Sequence, residues 1–240
     1  PMFEVLLISV ALAAETPDAT ALLKQADAPR QAFLHSTLRV RVSIESKDGA
    51  PQTGEFNVYL GNEEQQLVVF RDKRNKGRKF LTSGDKTWLI VPGSKNPIAV
   101  TANQRLLGAS SFADIARVRL SHDYTGVVRP GIEACGEPAQ PCRVVDINAT
   151  VKSAPYASGT LWIDGSGFLR KALYKLASGK PAKEIIYHYK ASNSGTVPAG
   201  LTLTDLLSVG NSGKTTLDYL DHRSTQHPPA TFDPLQQIKK

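Results

Sequence analysis

The residues that could do chemistry are few, and their spacings exclude more than they support. Ser208-Val209-Gly210-Asn211-Ser212-Gly213-Lys214-Thr215 ends as a phosphate-binding loop does, but Ser208 stands where the first glycine belongs and Thr215 onward reads as strand. Without a helix N-terminus behind it, the backbone N–H cradle for a phosphate is not built. There is no Gly-x-Ser-x-Gly elbow and no His-Glu-x-x-His pair. The five histidines, His35, His122, His188, His222 and His227, are scattered. His222 and His227 are spaced wrongly for one helical face and lie near prolines, so surface positions are expected rather than metal ligands. These residues predict no catalysis, no metal and no cofactor.

The two cysteines, Cys135 and Cys142, bracket a turn-rich loop containing Gly136, Pro138 and Pro141. A disulfide is the natural reading, and a loop this small would contribute about 2.5 kcal/mol in the chain-entropy model, enough to staple a hairpin. Two thiols without a second Cys or His pair fall short of a four-ligand metal site, which is the competing reading.

Charge points outward. Lys plus Arg number 29 against 22 Asp plus Glu, giving +7, and the densest cluster is Arg71, Lys73, Arg74, Lys76, Arg78 and Lys79, opposed only by Asp72. In an exported protein such a cluster suits anionic lipid head groups or an acidic partner, with transient membrane-surface contact, rather than nucleic acid. A solvated hairpin tip that keeps a sheet edge soluble is the other reading.

Export is expected from Val5 to Ala14, an apolar stretch of signal-peptide length ending in Ala11-Leu12-Ala13-Ala14, a small-residue cleavage pattern. Residues 1–14 therefore read as a leader and 15–240 as one exported, soluble, periplasmic domain, although Glu4 stands where a basic residue is usual. An N-terminal strand or helix packed in the core is the alternative.

The elements that must carry these residues are mostly strands. Asp18 after Thr16-Pro17 marks a helix start, with Ala19 to Ala28 rich in helix formers before Pro29. From Leu38 the period becomes two: Leu38, Val40, Val42 and Ile44 alternate with Arg39, Arg41, Ser43 and Glu45. Further strand signals follow to Leu220, separated by Gly-, Asn- and Asp-rich turns, and Ser110 or Ser111 can cap a second short helix reaching Val118. The tail from His227, with Pro228, Pro229 and Pro234, reads as mostly extended, with Leu235 to Ile238 at most a terminal turn. About eleven antiparallel strands with two short helices cannot form a flat sheet with one bare apolar face. Either the sheet curves into an open half-barrel with helices plugging its concave face and leaving a cavity, or it closes into a filled sandwich.

The run from Gly77 to Pro92, containing Ser83-Gly84-Asp85-Lys86-Thr87-Trp88-Leu89-Ile90-Val91-Pro92, followed by Arg105 to Ile115, resembles the outer-membrane lipoprotein-sorting (LolA-like) family. Gly159-Thr160-Leu161-Trp162-Ile163-Asp164, Tyr174 to Gly179 and Lys183 to Tyr189 are similar in the same order. The likeness is to the broader branch rather than to the housekeeping lipoprotein carrier. It implies a periplasmic carrier that receives lipid or lipoprotein acyl chains, with an inner-membrane exporter as a possible donor. A non-catalytic envelope sensor or interaction module on the same fold is the alternative function. Large apolar residues near strand centres and on the plug, Phe80, Trp88, Ile90, Phe112, Ile115, Leu161 and Ile163, are the candidate cavity lining, with ordinary core as the bland reading of each. The family's cavity arginine has no single counterpart: Arg39, Arg41, Arg71 and Arg78 all stay open. Cargo identity and oligomeric state are not written in these motifs.

Overall fold

A computed structural model describes residues 18–45, 51–72, 75–101, 105–111, 113–114, 118–193, 195–207 and 213–238. The leader expectation, Lys73, Arg74, Phe112, Ile115 and most of the Ser208–Thr215 run lie outside these residues.

The chain opens with helix α1, Ala19–Gln31, whose N-cap Asp18 accepts a hydrogen bond from the Thr20 N–H at 3.2 Å. Ala19, Leu22, Leu23 and Ala26 recur at helical spacing and are buried, which makes one apolar stripe. The helix runs through Pro29 rather than stopping before it. So near the C-terminal end, the proline costs little more than one intrahelical hydrogen bond.

Strands β1 (Ser36–Ile44), β2 (Gln52–Leu60), β3 (Gln65–Phe70), β4 (Lys79–Ser83), β5 (Lys86–Ile90) and β6 (Ile98–Val100) form a meander. After the small ribbon of β7 (Arg105–Leu107) and β8 (Ser110–Ser111) comes the one-turn helix α2 (Leu120–Asp123). There follow β9 (Tyr124–Val128), β10 (Glu133–Cys135), β11 (Gln140–Ala149), β12 (Ser158–Asp164), β13 (Leu169–Lys175), β14 (Pro181–Ser192), β15 (Gly195–Asp205) and β16 (Lys214–Ser224). Fourteen of these make one antiparallel sheet in the order β10-β11-β12-β13-β14-β15-β16-β1-β2-β3-β4-β5-β6, with β9 also pairing β11. Its first and last strands in sequence, β1 and β16, pair in mid-sheet, and β6 does not meet β9 or β10. The sheet is thus an open half-barrel, the first of the two arrangements expected from the sequence.

More strands form than the roughly eleven expected. Part of the surplus is β10, brought onto β11 where Cys135 and Cys142 are disulfide-bonded with their Cα atoms 5.9 Å apart. Ser110 and Ser111 lie in β8, residues 113 and 114 are helical, and Ser111 meets Asp114 as the expected capping residue would. Its N–H and hydroxyl donate to Asp114 Oδ2 at 2.6 and 2.8 Å, the carboxylate half of a capping box.

The strands expose two different faces. On the concave side Leu38, Val40, Phe56, Val58, Val68, Phe80, Leu161, Ile163, Tyr174 and Leu203 pack with the α1 stripe into the main core. On the convex side Leu67, Leu81 and Ile90 alternate with them and form a second cluster with Phe232. Phe232 belongs to the tail, where a 3-10 turn (Pro229–Phe232) replaces the expected extended run and the terminal turn at Leu235 to Ile238 is the one-turn helix α3 (Pro234–Ile238). The prolines start those turns, the buried aromatic anchors them, and Lys79 Nζ fastens α3 by donating to the Gln237 carbonyl and Oε1, each at 3.0 Å.

Candidate functional site

Under α1 the concave face is not filled. A cavity of about 410 Å³ lies between the helix and the sheet, walled by Phe33, Leu38, Val58, Leu60, Leu169 and Leu201 and reaching solvent beside Asn62, Glu63, Glu64 and His122. The cause is geometric: a single stripe of Ala and Leu side chains on one helix cannot cover the inner side of strands from β2 to β14. Gly200 helps shape the wall. A Cβ there would come within 2.1 Å of the Leu217 carbonyl oxygen, so only glycine lets β15 lie this close to β16.

The mouth is clasped by charge and hydrogen bonds. From α1, the Asp27 carboxylate accepts from the Leu120 N–H at 3.0 Å and from the Ser121 N–H and hydroxyl at 2.8 Å each, fixing α2 against α1. Arg119 bridges Glu64 and Asp123, both at 3.3 Å, and His122 Nδ1 lies 2.9 Å from Asp123 Oδ1. These ties hold the helical plug over one side of the opening.

The polar groups inside are mainly donors. Arg30 continues the α1 stripe by one turn, lines the cavity and donates one hydrogen bond to the Val118 carbonyl. Burial works against its charge, but Tyr187, then Tyr219, Asp27 and Tyr174 hold its pKa above the ordinary value. The surrounding phenols are kept protonated by desolvation, with Tyr219 pushed up to about 12 and Tyr187 raised as well. Gln66, 4% exposed, also lines the cavity, and its Nε2 has no hydrogen-bond acceptor among the described residues. Opposite, His188 Nε2 meets Thr202 Oγ1 at 2.7 Å, and the Tyr189 hydroxyl donates to the Leu169 carbonyl at 2.9 Å. Among the described residues no group of His, Cys, Asp and Glu could hold a metal ion.

The residues proposed as lining from sequence fall elsewhere. Phe80, Leu161 and Ile163 are buried in the main core, and Trp88 and Ile90 face the convex cluster, so none of the five walls this cavity. The arginines left open also point away from it: Arg39 pairs with Asp221 at 3.0 Å and Arg41 with Glu55 at 3.2 Å, while Arg71 donates to Asn57 and Arg78 to Asn75. Of the basic cluster, Arg71, Lys76 and Arg78 are exposed, whereas Lys79 is engaged by Gln237. Arg30, Gln66 and the tyrosines were missed, although signals existed. Positions 19, 22, 23, 26 and 30 share a helical stripe, and Tyr187 and Tyr189 have the parity of buried Ile185.

A second polar cluster sits beyond the main cavity, beside a pocket of about 120 Å³. Lys183 Nζ lies 2.5 Å from Asp114 Oδ2, and the Tyr156 hydroxyl donates to Asp114 Oδ1 at 3.0 Å. Together with Ser111 this satisfies both carboxylate oxygens and ties the segment after β8 to β14.

Known proteins share this architecture. A LolA superfamily protein from Nitrosomonas europaea superposes with a TM-score of 0.80 at 22% identity, covering 91% of this chain and 98% of that one. An outer membrane lipoprotein-sorting protein domain from Vibrio parahaemolyticus (15% identity) and a DUF1329 family protein from Desulfovibrio piger (17%) each give 0.72 with the same coverages. No curated protein matches. A family model described as an uncharacterized-protein-like family matches residues 62–235, most of the chain. The chain belongs to that family, and its fold is the one seen in the LolA superfamily and lipoprotein-sorting proteins above.

Proposed function

We propose that this protein is a non-catalytic periplasmic carrier that holds acyl chains in the cavity under α1 between a membrane donor and an acceptor. The observation that carries the reading is the 410 Å³ hollow, apolar along Phe33, Leu38, Val58, Leu60 and Leu201, which the protein's own side chains leave unfilled and which reaches solvent at one end. Each methylene moved out of water there gains about 0.8 kcal/mol, so even half of a 16-carbon chain supplies roughly 6 kcal/mol toward binding. Among the described residues no helix is long and apolar enough to cross a membrane, so a carrier reaching lipid would dock transiently. The exposed Arg71, Lys76 and Arg78 supply a surface for anionic head groups or an acidic exporter domain.

The test is mass spectrometry of organic extracts from gently purified protein, together with titration of a fluorescent fatty acid. Lipid near one equivalent, or saturable uptake of the probe, is expected. Clean protein that takes up no probe would leave the fold serving as a sensor or interaction module instead.

A further inference from the structure

We propose that the cavity is built for a single-chain amphiphile with an anionic oxygen head group, a carboxylate or phosphate, held head-inward at Arg30. This rests on the carrier reading and narrows its cargo. A guanidinium has five N–H donors, and among the described residues Arg30 makes one hydrogen bond, to the Val118 carbonyl, and no ion pair. The nearest carboxylate on its own helix, Asp27, is occupied by three donors from α2, and Glu64, at the mouth, is paired with Arg119. Lys24, Arg119 and Glu63 also line the cavity, near its mouth. The phenols beside Arg30 are neutral donors rather than anions. Gln66, 4% exposed, lines the same cavity from β3 and adds a buried N–H donor that has no acceptor among the described residues. A half-buried guanidinium with spare donors, and a buried amide N–H without an acceptor among the described residues, both gain when a guest brings oxygen atoms to them.

The apolar walls then take the tail. At about 410 Å³ the space is at the small end of the 300–1,000 Å³ range of small-ligand sites, which suits one chain rather than a bundle of three. Charge-assisted hydrogen bonds from a guanidinium to an oxyanion are worth about 1.5–3 kcal/mol, or roughly 10- to 100-fold in affinity. A neutral head of the same chain length forgoes that gain.

The experiment titrates the full chain with palmitate, hexadecyl phosphate and 1-hexadecanol by displacement of a fluorescent fatty acid, in wild type, Arg30→Gln, Arg30→Lys and Gln66→Leu. Wild type should bind palmitate or hexadecyl phosphate at least about tenfold more tightly than hexadecanol, and the better of the two identifies the head group. Arg30→Gln should erase that preference while leaving hexadecanol affinity within a few-fold of wild type. Arg30→Lys should retain part of the preference, and Gln66→Leu should weaken the anionic probes by a smaller factor. Equal binding of all three chains by wild type, or an undiminished preference in folded Arg30→Gln, would make Arg30 a mere tether for Val118 and overturn the proposal. Should none of the probes bind to wild type, the carrier reading itself fails, a result distinct from loss of head-group preference alone.

Discussion

Lys183 and Arg30 are both cations enclosed by the concave side of the sheet, and they are treated in opposite ways. Lys183 meets a carboxylate at 2.5 Å, and that carboxylate is completed by Ser111 and Tyr156, so the group is closed and its neighbouring pocket is small. Arg30 meets one backbone carbonyl among neutral phenols at the edge of a cavity more than three times larger. The difference separates a lock from a receptor. A satisfied buried pair fixes the segment after β8 onto the sheet, whereas a cation with spare donors beside empty apolar walls is arranged for something that arrives.

The largest effect should come from breaking the lock. Lys183→Met strands the Asp114 carboxylate in the interior, and removal of one partner of a buried pair costs about 3–5 kcal/mol. Urea unfolding should read this as a lower midpoint, and the double variant Lys183→Met with Asp114→Leu should recover much of it. A loss below about 1 kcal/mol in the single variant would place the pair outside the set of structural locks.

Enlarging a side chain sharpens the contrast between hollow and filled regions. Ala172 is fully buried in the main core and lines neither pocket, so Ala172→Leu should cost about 1–3 kcal/mol. Val58→Phe puts its extra volume into the cavity and should cost less than about 1 kcal/mol while cutting fatty-acid probe uptake by roughly tenfold. Equal stability losses at the two sites, measured by chemical denaturation, would mean that the cavity wall is as tightly packed as the core.

The smallest effect belongs to a surface pair that neither region uses. Arg129 holds Asp146 at 2.7 Å on exposed β-sheet surface and keeps its carboxyl below the ordinary value of 3.8. A depressed carboxylate contributes stability that is present above pH 3.8 and lost as pH falls through its folded value. Arg129→Ala should therefore cost about 0.2–1 kcal/mol at pH 7 and almost nothing near pH 2, as read from denaturation midpoints at the two pH values. A cost that persists in acid would assign the arginine a packing role.

Much of this architecture is legible from residue order. The alternation of Leu38, Val40 and Val42 with Arg39 and Arg41 sets β1 and its inner face, Asp18 sets the start of α1, and the shortage of helix against so many strands narrows the sheet to a curved open form or a filled sandwich. The cavity was harder to place, because period two tells which residues share a face but not which face is concave. In β3 to β5 both faces are apolar, Val68 and Phe80 inward and Leu67, Leu81 and Ile90 outward, since the tail around Phe232 covers the outside. Trp88 and Ile90 therefore look like cavity residues from their strand but pack against the tail. Arg30 was hidden for the opposite reason: a charged residue beyond Pro29 reads as the end of a helix, although the stripe through Leu22, Leu23 and Ala26 carries it inward.

The most direct measurement is photo-crosslinking with a diazirine-bearing fatty acid, followed by peptide mapping. The account predicts labels concentrated on Phe33, Leu38, Leu201 and Tyr219, between α1 and β1, β15 and β16. Labels confined to the convex side around Trp88 and Phe232, with the cavity residues untouched, would contradict it.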